Sequence, residues 1–520
     1  MQRGNYLMSD QQEVQTTEKN DLHRGMSQRH LTMIGIGGAI GTGLWFASGE
    51  LISATGPGGA LLLFGCVGLM VYFLMTSLGE IATYVPLSGS FETYASKFVD
   101  PALGFAMGWN YYMSWAICVT FEIVVGARIL QFWYPPEVLP PWIPSLLFFL
   151  LLFGLNAISS QGFGESEFWF ASIKVAAIVV FLLVGILMVF GIVPNPQYEG
   201  LTSNWMYAAT YGGTGTIFLG GFTVILSKFI VAAFSFQGTE LVGLSAGEAK
   251  NPEKTIPKAV NSVFWRILFF YVGGILLVGI LVPFDDPHLL GADVEWFEYE
   301  ARIAFSPFTL VFQNAGIAAA AHIMNFVVIT SVLSCGNSGL FCSTRMLYAM
   351  AHEGKAPKIL GKTNKRGVPM YALLVTAGIA AVGFLVDKMP NVEIYDYLLE
   401  MSGMMGMFGW LGIAICAWRF RNAFLHQGHS LDELKYKAKF YPYGPILCMI
   451  FCVFVILGTG IDALLDWDPV WALQLYLPLP LFIIMYVVYK AVMGTKIIPL
   501  DKADFSMEYK PYKKGDQDHY

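Results

Sequence analysis

Apolar segments long enough to cross a bilayer dominate this chain of 520 residues. A helix needs about 20 mainly apolar residues to span the hydrocarbon core. Only 13% of the residues are charged, against about 25% in a soluble domain. The sequence therefore predicts an all-α, polytopic membrane protein with twelve transmembrane helices, at 31–54, 59–85, 102–133, 141–160, 166–193, 224–246, 259–283, 306–344, 369–386, 391–418, 441–465 and 470–493.

Positive charge predicts the orientation of these spans. Of the 31 Lys and Arg residues, 25 fall on the side of the N-terminus, four lie within spans, and only Arg302 and Lys388 lie on the other side. Lys and Arg concentrate in cytoplasmic loops, so both tails, 1–30 and 494–520, are predicted to be cytoplasmic. The N-terminal tail has no apolar core, which excludes a signal peptide. We expect a multi-pass protein of the cell inner membrane.

Charge and cysteine content exclude several classes of function. The net charge of −6 offers no basic surface, so no nucleic-acid partner is predicted. The seven cysteines lack the spacing of zinc or thioredoxin sites, and we interpret them as small hydrophobic residues. No metal, cofactor or catalytic residue is predicted, so the chain is not expected to be an enzyme. The lipid bilayer and a small-molecule substrate are the expected partners.

Two of the predicted spans carry residues that do not suit a membrane helix. The first has five glycines within 35–43, and each costs about 1 kcal/mol of helix propensity relative to Ala. The sixth carries a polar cluster and an acid at 234–240. Close helix packing is an alternative explanation for the glycines. We favour unwinding, and unwound backbone at this depth must line a protein or water cavity.

The positions of the two breaks predict a repeat of five helices. Because five is odd, the second copy (224–418) would enter the membrane from the side opposite to the first (31–193), with 441–493 peripheral. Inverted repeats with broken helices are typical of secondary transporters. Bare N–H groups suit a carboxylate and bare carbonyls suit an ammonium. The breaks therefore predict a zwitterionic substrate, an α-amino acid.

Motifs over most of the chain support this reading. The stretches 30–44, 235–241 and 336–345 resemble those of amino acid permeases of the amino acid/polyamine/organocation superfamily. The resemblance covers about 27–495, and the runs 71–80, 264–268 and 306–313 look most like the lysine-specific permeases of bacteria. It implies a LeuT-type fold, with a 5+5 inverted repeat plus two peripheral helices. It also implies import of L-lysine or a related cationic amino acid by proton symport, with the proton gradient replacing any cofactor.

The resemblance also implies a substrate site. The substrate carboxylate would meet N–H groups around Gly41, Thr42 and Gly43. The α-ammonium would meet carbonyls near Ile36 and Phe234, and Phe234 would be an aromatic gate. Ser114 departs from the Asn expected in a close lysine permease, whereas Ser402 matches the pattern. The full predicted substrate site is Ile36, Gly37, Gly38, Gly41, Thr42, Gly43, Tyr111, Ser114, Trp115, Glu122, Phe234, Ser235, Gly238, Glu240 and Ser402.

Ionisable residues within the spans are the remaining candidates. Lys174 is expected to carry the proton coupling, as an ammonium in place of the sodium ion of Na⁺-coupled relatives; a snorkelling lysine is the alternative. Glu240 is expected to balance a cationic side chain, with Glu122 as the second candidate. Capping of a half-helix is the alternative role for Glu240, as core packing is for Tyr111 and Trp115.

Two other functions stay open at this point. A permease for neutral or aromatic amino acids would share Gln237, Gly238 and Glu240. A membrane sensor that binds lysine and signals through a regulatory partner in the membrane would share the whole site. The absence of an added soluble domain argues against sensing as the sole function, but a dual role stays open.

Overall fold

The chain is helical throughout the part that the structure describes. A computed structural model describes residues 29–30, 33, 40–87, 90–158, 160–193, 217–244, 251–286, 289, 306–382, 393–507 and 510–515, and no strand occurs among them. The α-helices are α1 (Ser48–Tyr84), α2 (Ser90–Phe98), α3 (Pro101–Ile129), α4 (Trp142–Ile158), α5 (Ser160–Val189), α6 (Gly221–Ser227), α7 (Phe229–Phe234), α8 (Leu241–Leu244), α9 (Pro252–Arg266), α10 (Gly274–Leu281), α11 (Pro307–Asn314), α12 (Ala318–His352), α13 (Met370–Ala380), α14 (Glu393–His426), α15 (Tyr443–Gly458), α16 (Ile461–Leu465), α17 (Pro469–Tyr476) and α18 (Pro478–Met493).

Several of these helices can cross a membrane, and the chain is a multi-pass membrane protein. Six segments of the described residues are long and apolar enough, and the pair α17 and α18, bent by 50°, gives a seventh if it is one span. Shorter apolar helices of 10–17 residues lie in the predicted fourth, sixth, ninth and eleventh spans. The all-helical membrane architecture is confirmed, whereas the number of twelve spans stays a prediction.

The longest apolar segment of the described residues, Gly43–Tyr84, contains the end of the first predicted span and all but the last residue of the second. Its 42 residues would extend about 63 Å, twice the hydrocarbon thickness. Gly56, before Pro57, bends it with a φ of +73°, a conformation that favours glycine. The backbone of the 217–219 segment closes this bend, because Leu219 N–H donates to the Thr55 carbonyl at 2.9 Å. The predicted boundary between 54 and 59 coincides with this kink.

Helix α3 lies at the centre of the bundle. Nearly all of its residues are buried, and it packs mainly against α12 and α14. Polar side chains fix these contacts, since Asn110 donates to the Met405 carbonyl at 2.7 Å. An ion pair between Arg421 and Glu80, with an Nε–Oε1 distance of 2.6 Å, joins α14 to α1. The core is therefore built around α3, which also carries several of the predicted site residues.

A polar cluster lies on α2 and the loop after α12, outside the predicted spans. Lys355 Nζ lies 2.6 Å from Glu92 Oε2 and 2.7 Å from Ser96 Oγ, and it also pairs with Glu353. Thr93 donates to Glu353 at 2.6 Å. Burial, and then repulsion by Glu353, raises the pKa of Glu92 to about 8, although Lys355 opposes the shift. Burial and the neighbouring Glu353 therefore favour the protonated form of Glu92.

Glu92→Gln is expected to flatten the pH dependence of stability. A carboxyl group whose pKa is raised in the folded state stabilises it fully below the unfolded pKa, and that contribution is lost as pH rises through the folded pKa. For Glu92 the loss should run from about pH 4.5 to about pH 8. Thermal unfolding in detergent should show the wild-type melting temperature falling by several degrees more than that of the variant. Glu253→Gln, at an exposed acid that pairs with Lys435, is the control. Parallel curves for wild type and Glu92→Gln would contradict the assignment.

Candidate functional site

The described end of the first span starts without helical structure. Ile40 and Gly41 are not helical, and a short π-helical turn, Gly43–Ala47, follows Thr42 and leads into α1. The first N–H groups of such a helix have no partner within it, and its N-terminus carries partial positive charge. Ile36, Gly37 and Gly38 lie outside the described residues. The described break can therefore receive an anionic group at Gly41–Gly43.

The sixth span is broken at the predicted place. Helix α7 ends at Phe234, residues 235–240 form turns, and α8 begins at Leu241. Gly238 has a φ of +90°, so the chain turns there in a conformation that favours glycine. The last carbonyls of α7 accept hydrogen bonds from the turn, as from Phe236 N–H to the Ala233 carbonyl at 3.0 Å and from Gln237 N–H to the Phe234 carbonyl at 3.1 Å. Each carbonyl oxygen has a second lone pair, so this break can still offer acceptors where the first one offers donors.

The two breaks lie against each other. A Cβ on Gly43 would lie 2.4 Å from the Cα of Ser235, closer than any real contact. On the far side of the first break, a Cβ on Gly41 would lie 3.0 Å from the Sγ of Cys335. Only glycine permits this approach of the backbone to its neighbours. Gly41 and Gly43 therefore serve close packing, the alternative explanation for the glycines, at the described end of the first break.

A small cavity lies between these breaks and helices α3 and α12. Its volume is about 10 Å³, which is about the space of one water molecule. An amino acid does not fit, so this conformation must open before a substrate enters. The cavity is lined by Gly41, Thr42, Gly43, Trp115, Cys118, Glu122, Phe234, Ser235, Gln237 and Cys335.

Glu122 is the acid on the cavity wall. Thr42 donates its hydroxyl to Glu122 Oε2, which ties α3 to the start of the first span. The other oxygen, Oε1, is buried, accepts no hydrogen bond from an N–H or O–H group of the described residues, and has the Cys335 thiol beside it. A thiol is a weak donor, so Oε1 can still accept a stronger donor or bind a cation. Glu122 therefore joins the cavity to the described end of the first span.

Glu240 lies behind the cavity wall, with both oxygens already bonded. Tyr111 donates its hydroxyl to Oε1 at 2.9 Å, and the Trp410 indole N–H donates to Oε2 at 3.1 Å. The backbone N–H of Gly238 also lies 3.3 Å from Oε1. None of these donors carries a charge, so they fix the position of the Glu240 carboxyl group without supplying a positive charge to balance it. Glu240 is thus fixed beside the second break by three separate groups.

Two bases belong to the same interior network. Lys174 on α5 is fully buried, so its ammonium does not reach the membrane surface as a snorkelling lysine would. It lies within electrostatic reach of Glu167 and Glu122. Arg266 donates to Thr239 Oγ1 at 2.5 Å and lies within electrostatic reach of Glu240. Three carboxyl groups and two bases therefore surround the two breaks.

The structure brings some of the predicted site residues to the cavity and places others behind it. The predicted residues on the cavity wall are Gly41, Thr42, Gly43, Trp115, Glu122, Phe234 and Ser235. Those behind it are Tyr111, Ser114, Gly238, Glu240 and Ser402. Ser114 donates to the Ser402 carbonyl at 3.1 Å, linking α3 to α14. These two serines therefore join helices and do not line the cavity.

Several residues of the site escaped sequence reasoning. Glu167 lies seven residues, about two helical turns, before Lys174 on the same face, and this spacing was a usable signal. Cys118 and Cys335 come from different helices, so no spacing could join them. Their thiols and the Glu122 carboxylate lie within 4.8 Å of one another, a set that could hold a metal ion.

The chain is similar to known proteins over nearly its whole length. The sequence profile described as "Amino acid permease" matches residues 30–499. The lysine-specific permease LysP of Escherichia coli (strain K12) is 48% identical over 497 residues, covering 95% of this chain and 98% of its own length. LysP of Lactococcus lactis subsp. cremoris (strain MG1363) is 46% identical, covering 94% of both. The histidine permease HisP of that strain is 43% identical, covering 94% of this chain and 99% of its own.

Proposed function

The chain belongs to the amino acid permease family, and from this we propose that it imports L-lysine or a related cationic amino acid by proton symport. The resemblance in its motifs is confirmed over nearly its whole length. Members of this family are transporters, so the chain is a permease and not an enzyme. An amino acid is its substrate. The identity of that amino acid and the coupling ion are the parts proposed here.

The proposed architecture is a LeuT-type fold with twelve spans. Five helices (31–193) and their inverted copy (224–418) would form the core, with 441–493 peripheral and the tails 1–30 and 494–520 cytoplasmic at the inner membrane. The approach of Gly43 to Ser235 supports this arrangement, because inverted repeats bring the broken helices together at the substrate site. The asymmetry of Lys and Arg supports the orientation.

The backbone of the two breaks would hold the α-amino acid group. N–H groups around Gly41–Gly43 at a helix N-terminus suit the carboxylate. Carbonyls near Ile36 and at the end of α7 suit the ammonium, with Phe234 closing over it. Phe234 lines the cavity and packs edge to face on Phe121, with the two ring centroids 5.6 Å apart, so its ring has a defined position. Binding would require the small cavity to widen.

The charge balance around the breaks is the observation that carries a cationic substrate. Glu122, Glu167 and Glu240 are buried, and the bases within their electrostatic reach are Lys174 and Arg266. Among the described residues of this network, three carboxyl groups face two bases, so one carboxyl group lacks a base of its own. Ionising that buried carboxyl group alone costs several kcal/mol, and a cationic side chain beside it would offset that cost. The names of the relatives, lysine and histidine permeases, agree with this choice.

Lys174 is the proposed proton-linked group. Burial penalises the charged form of a lysine, so its ammonium can lose a proton when the site rearranges. Lys174 lies within electrostatic reach of Glu122, and Glu122 accepts a hydrogen bond from Thr42. These contacts support coupling between the protonation of Lys174 and the position of the first span. No cofactor is needed, because the proton gradient supplies the driving force.

Uptake by purified protein in proteoliposomes tests the function. Radiolabelled lysine should accumulate when an inward proton gradient is imposed and should only equilibrate without one. Unlabelled arginine, ornithine and histidine should compete better than leucine or phenylalanine. Stronger competition by the neutral or aromatic compounds would favour the alternative permease. Tight lysine binding without any uptake would favour a membrane sensor.

A further inference from the structure

Two thiols and a carboxylate converge on the cavity from different helices. Cys118 and Glu122 lie one turn apart on α3, and Cys335 faces them from α12. The Sγ atoms and a carboxylate oxygen all lie within 4.8 Å of one another. All three side chains are more than nine-tenths buried. The packing of α3 against α12 therefore places three potential metal ligands together in the interior of the bundle.

The donors match the preferences of a soft divalent cation. Zn²⁺ binds thiolate at about 2.3 Å and carboxylate oxygen at about 2.0–2.2 Å, usually in a tetrahedron. Ligand atoms of such a tetrahedron lie about 3.5–3.8 Å apart, so shifts of about 1 Å would complete the site. Glu122 Oε1 is buried and accepts no hydrogen bond from an N–H or O–H group of the described residues, and the Cys335 thiol beside it would lose its proton on metal binding. The cavity beside it has space for one water molecule as the fourth ligand.

We propose that Cys118, Glu122 and Cys335 bind a soft divalent cation such as Zn²⁺ or Cd²⁺, and that the bound ion blocks transport. On binding, each thiol releases its proton and forms a metal–sulfur bond, so two protons leave for each ion that enters. Two thiolates, one carboxylate and the ion carry a net charge of −1. Lys174 lies within electrostatic reach of both Cys335 and Glu122, so its ammonium would balance that charge.

The block follows from the positions of the ligands. The ion would bridge α3 to α12, and through Glu122 and Thr42 it would hold the start of the first span. Alternating access rocks one part of the bundle against the other around the broken helices. An ion held by Glu122 would oppose movement of the first span through the Glu122–Thr42 hydrogen bond. The ion would also occupy the space that a substrate must widen.

Cadmium titration of the purified full-length chain in detergent tests the binding. Thiolate–cadmium charge transfer in the ultraviolet should saturate at one Cd²⁺ per chain. The double variant Cys118→Ala/Cys335→Ala should lose this band, and Cys335→Ala alone should weaken binding at least about tenfold. Cys448→Ala/Cys452→Ala is the matched control, because it removes another buried thiol pair one turn apart on α15, and it should keep the band. Retention of the band in the first variant, or its loss in the control, would overturn the proposal.

Two measurements on the unaltered protein guard against a misfolded variant. X-ray absorption at the cadmium edge should show two sulfur ligands with oxygen completing the shell; a shell of oxygen only, or of four sulfurs, would overturn the site. Lysine uptake into proteoliposomes should stop at saturating Cd²⁺ and return after chelation. Continued uptake at saturation would overturn the block. The binding arm needs no transport, so failure of the proposed function and failure of the metal site are distinguishable.

Discussion

Lys174→Ala is expected to abolish uphill lysine uptake driven by an inward proton gradient. The side chain is fully buried and lies within reach of Glu167 and Glu122, so its protonation state sets the charge of the network beside the first break. Alanine removes the only described base of α5 that could gain and lose that proton. Accumulation ratios in proteoliposomes should fall from well above one to one. Full concentrative uptake by the variant would remove Lys174 from the mechanism.

A second lysine within the predicted spans gives the matched control. Lys228, at the start of the sixth span, pairs with Glu50 at 2.6 Å and lies outside the Glu122–Glu167 network. Lys228→Ala should retain concentrative uptake. Size-exclusion profiles of both variants check that each one folds. Loss of uptake in both variants would point to a general effect of removing a membrane lysine.

Whether uptake requires sodium is an independent test of the role proposed for Lys174. A fixed ammonium at Lys174 and a bound sodium ion would compete for one place near the first break. Uptake driven by a proton gradient should therefore be unchanged when choline replaces sodium. A strict sodium requirement would contradict the role proposed for Lys174.

The sequence predicted best the features that depend on one continuous stretch of residues. Span composition and the glycines at 35–43 act locally, since apolar length decides membrane insertion and glycine density weakens a helix. The kink at Gly56 also depends on local sequence, since a glycine followed by Pro57 interrupts the helix, and it falls between two predicted spans. The turn at 235–240 follows from a polar run that cannot stay helical at that depth.

Contacts between distant helices could not be predicted in this way. The bond from Trp410 to Glu240 and the meeting of Cys118 with Cys335 depend on how α3, α12 and α14 pack. Side-chain patterns show which face of a helix is buried, but not which residue lies opposite it. The sequence therefore identified Glu240 and Glu122 as candidates and left their surroundings open.

These surroundings separate the roles of the two acids. Glu122 accepts a hydrogen bond from Thr42, beside the N–H groups proposed for the substrate carboxylate. Two carboxylates at that place would repel each other, so Glu122 suits the proton network with Lys174. Glu240 lies beside the second break, within hydrogen-bond distance of the Gly238 N–H, and does not line the cavity. A lysine side chain, which reaches about 6 Å beyond its Cα by covalent geometry, suits this more distant acid once the cavity widens.

Glu240→Gln is accordingly expected to weaken lysine binding by about 2–4 kcal/mol, because it leaves a buried cation without its partner. At about 1.4 kcal/mol per decade, this is about 30- to 1,000-fold in Kd. Glutamine preserves the shape: its carbonyl can accept from Trp410 while its amide donates to the Tyr111 hydroxyl. The Gly238 N–H then loses its acceptor, a cost that is the same for lysine and for an uncharged ligand. Norleucine, which lacks the charge, should lose much less affinity or gain some.

Binding of both ligands to the purified variants, by calorimetry or scintillation proximity, separates a counter-charge from a structural role. Glu122→Gln is the matched comparison, because it neutralises the acid on the cavity wall and should affect lysine and norleucine alike. A charge that pairs with the substrate changes the difference between the two ligands, whereas a helix cap changes both equally. If Glu240→Gln weakens lysine and norleucine to the same extent, Glu240 only caps the second half-helix. Glu122, on the cavity wall, would then be the remaining candidate for pairing with the substrate's positive charge.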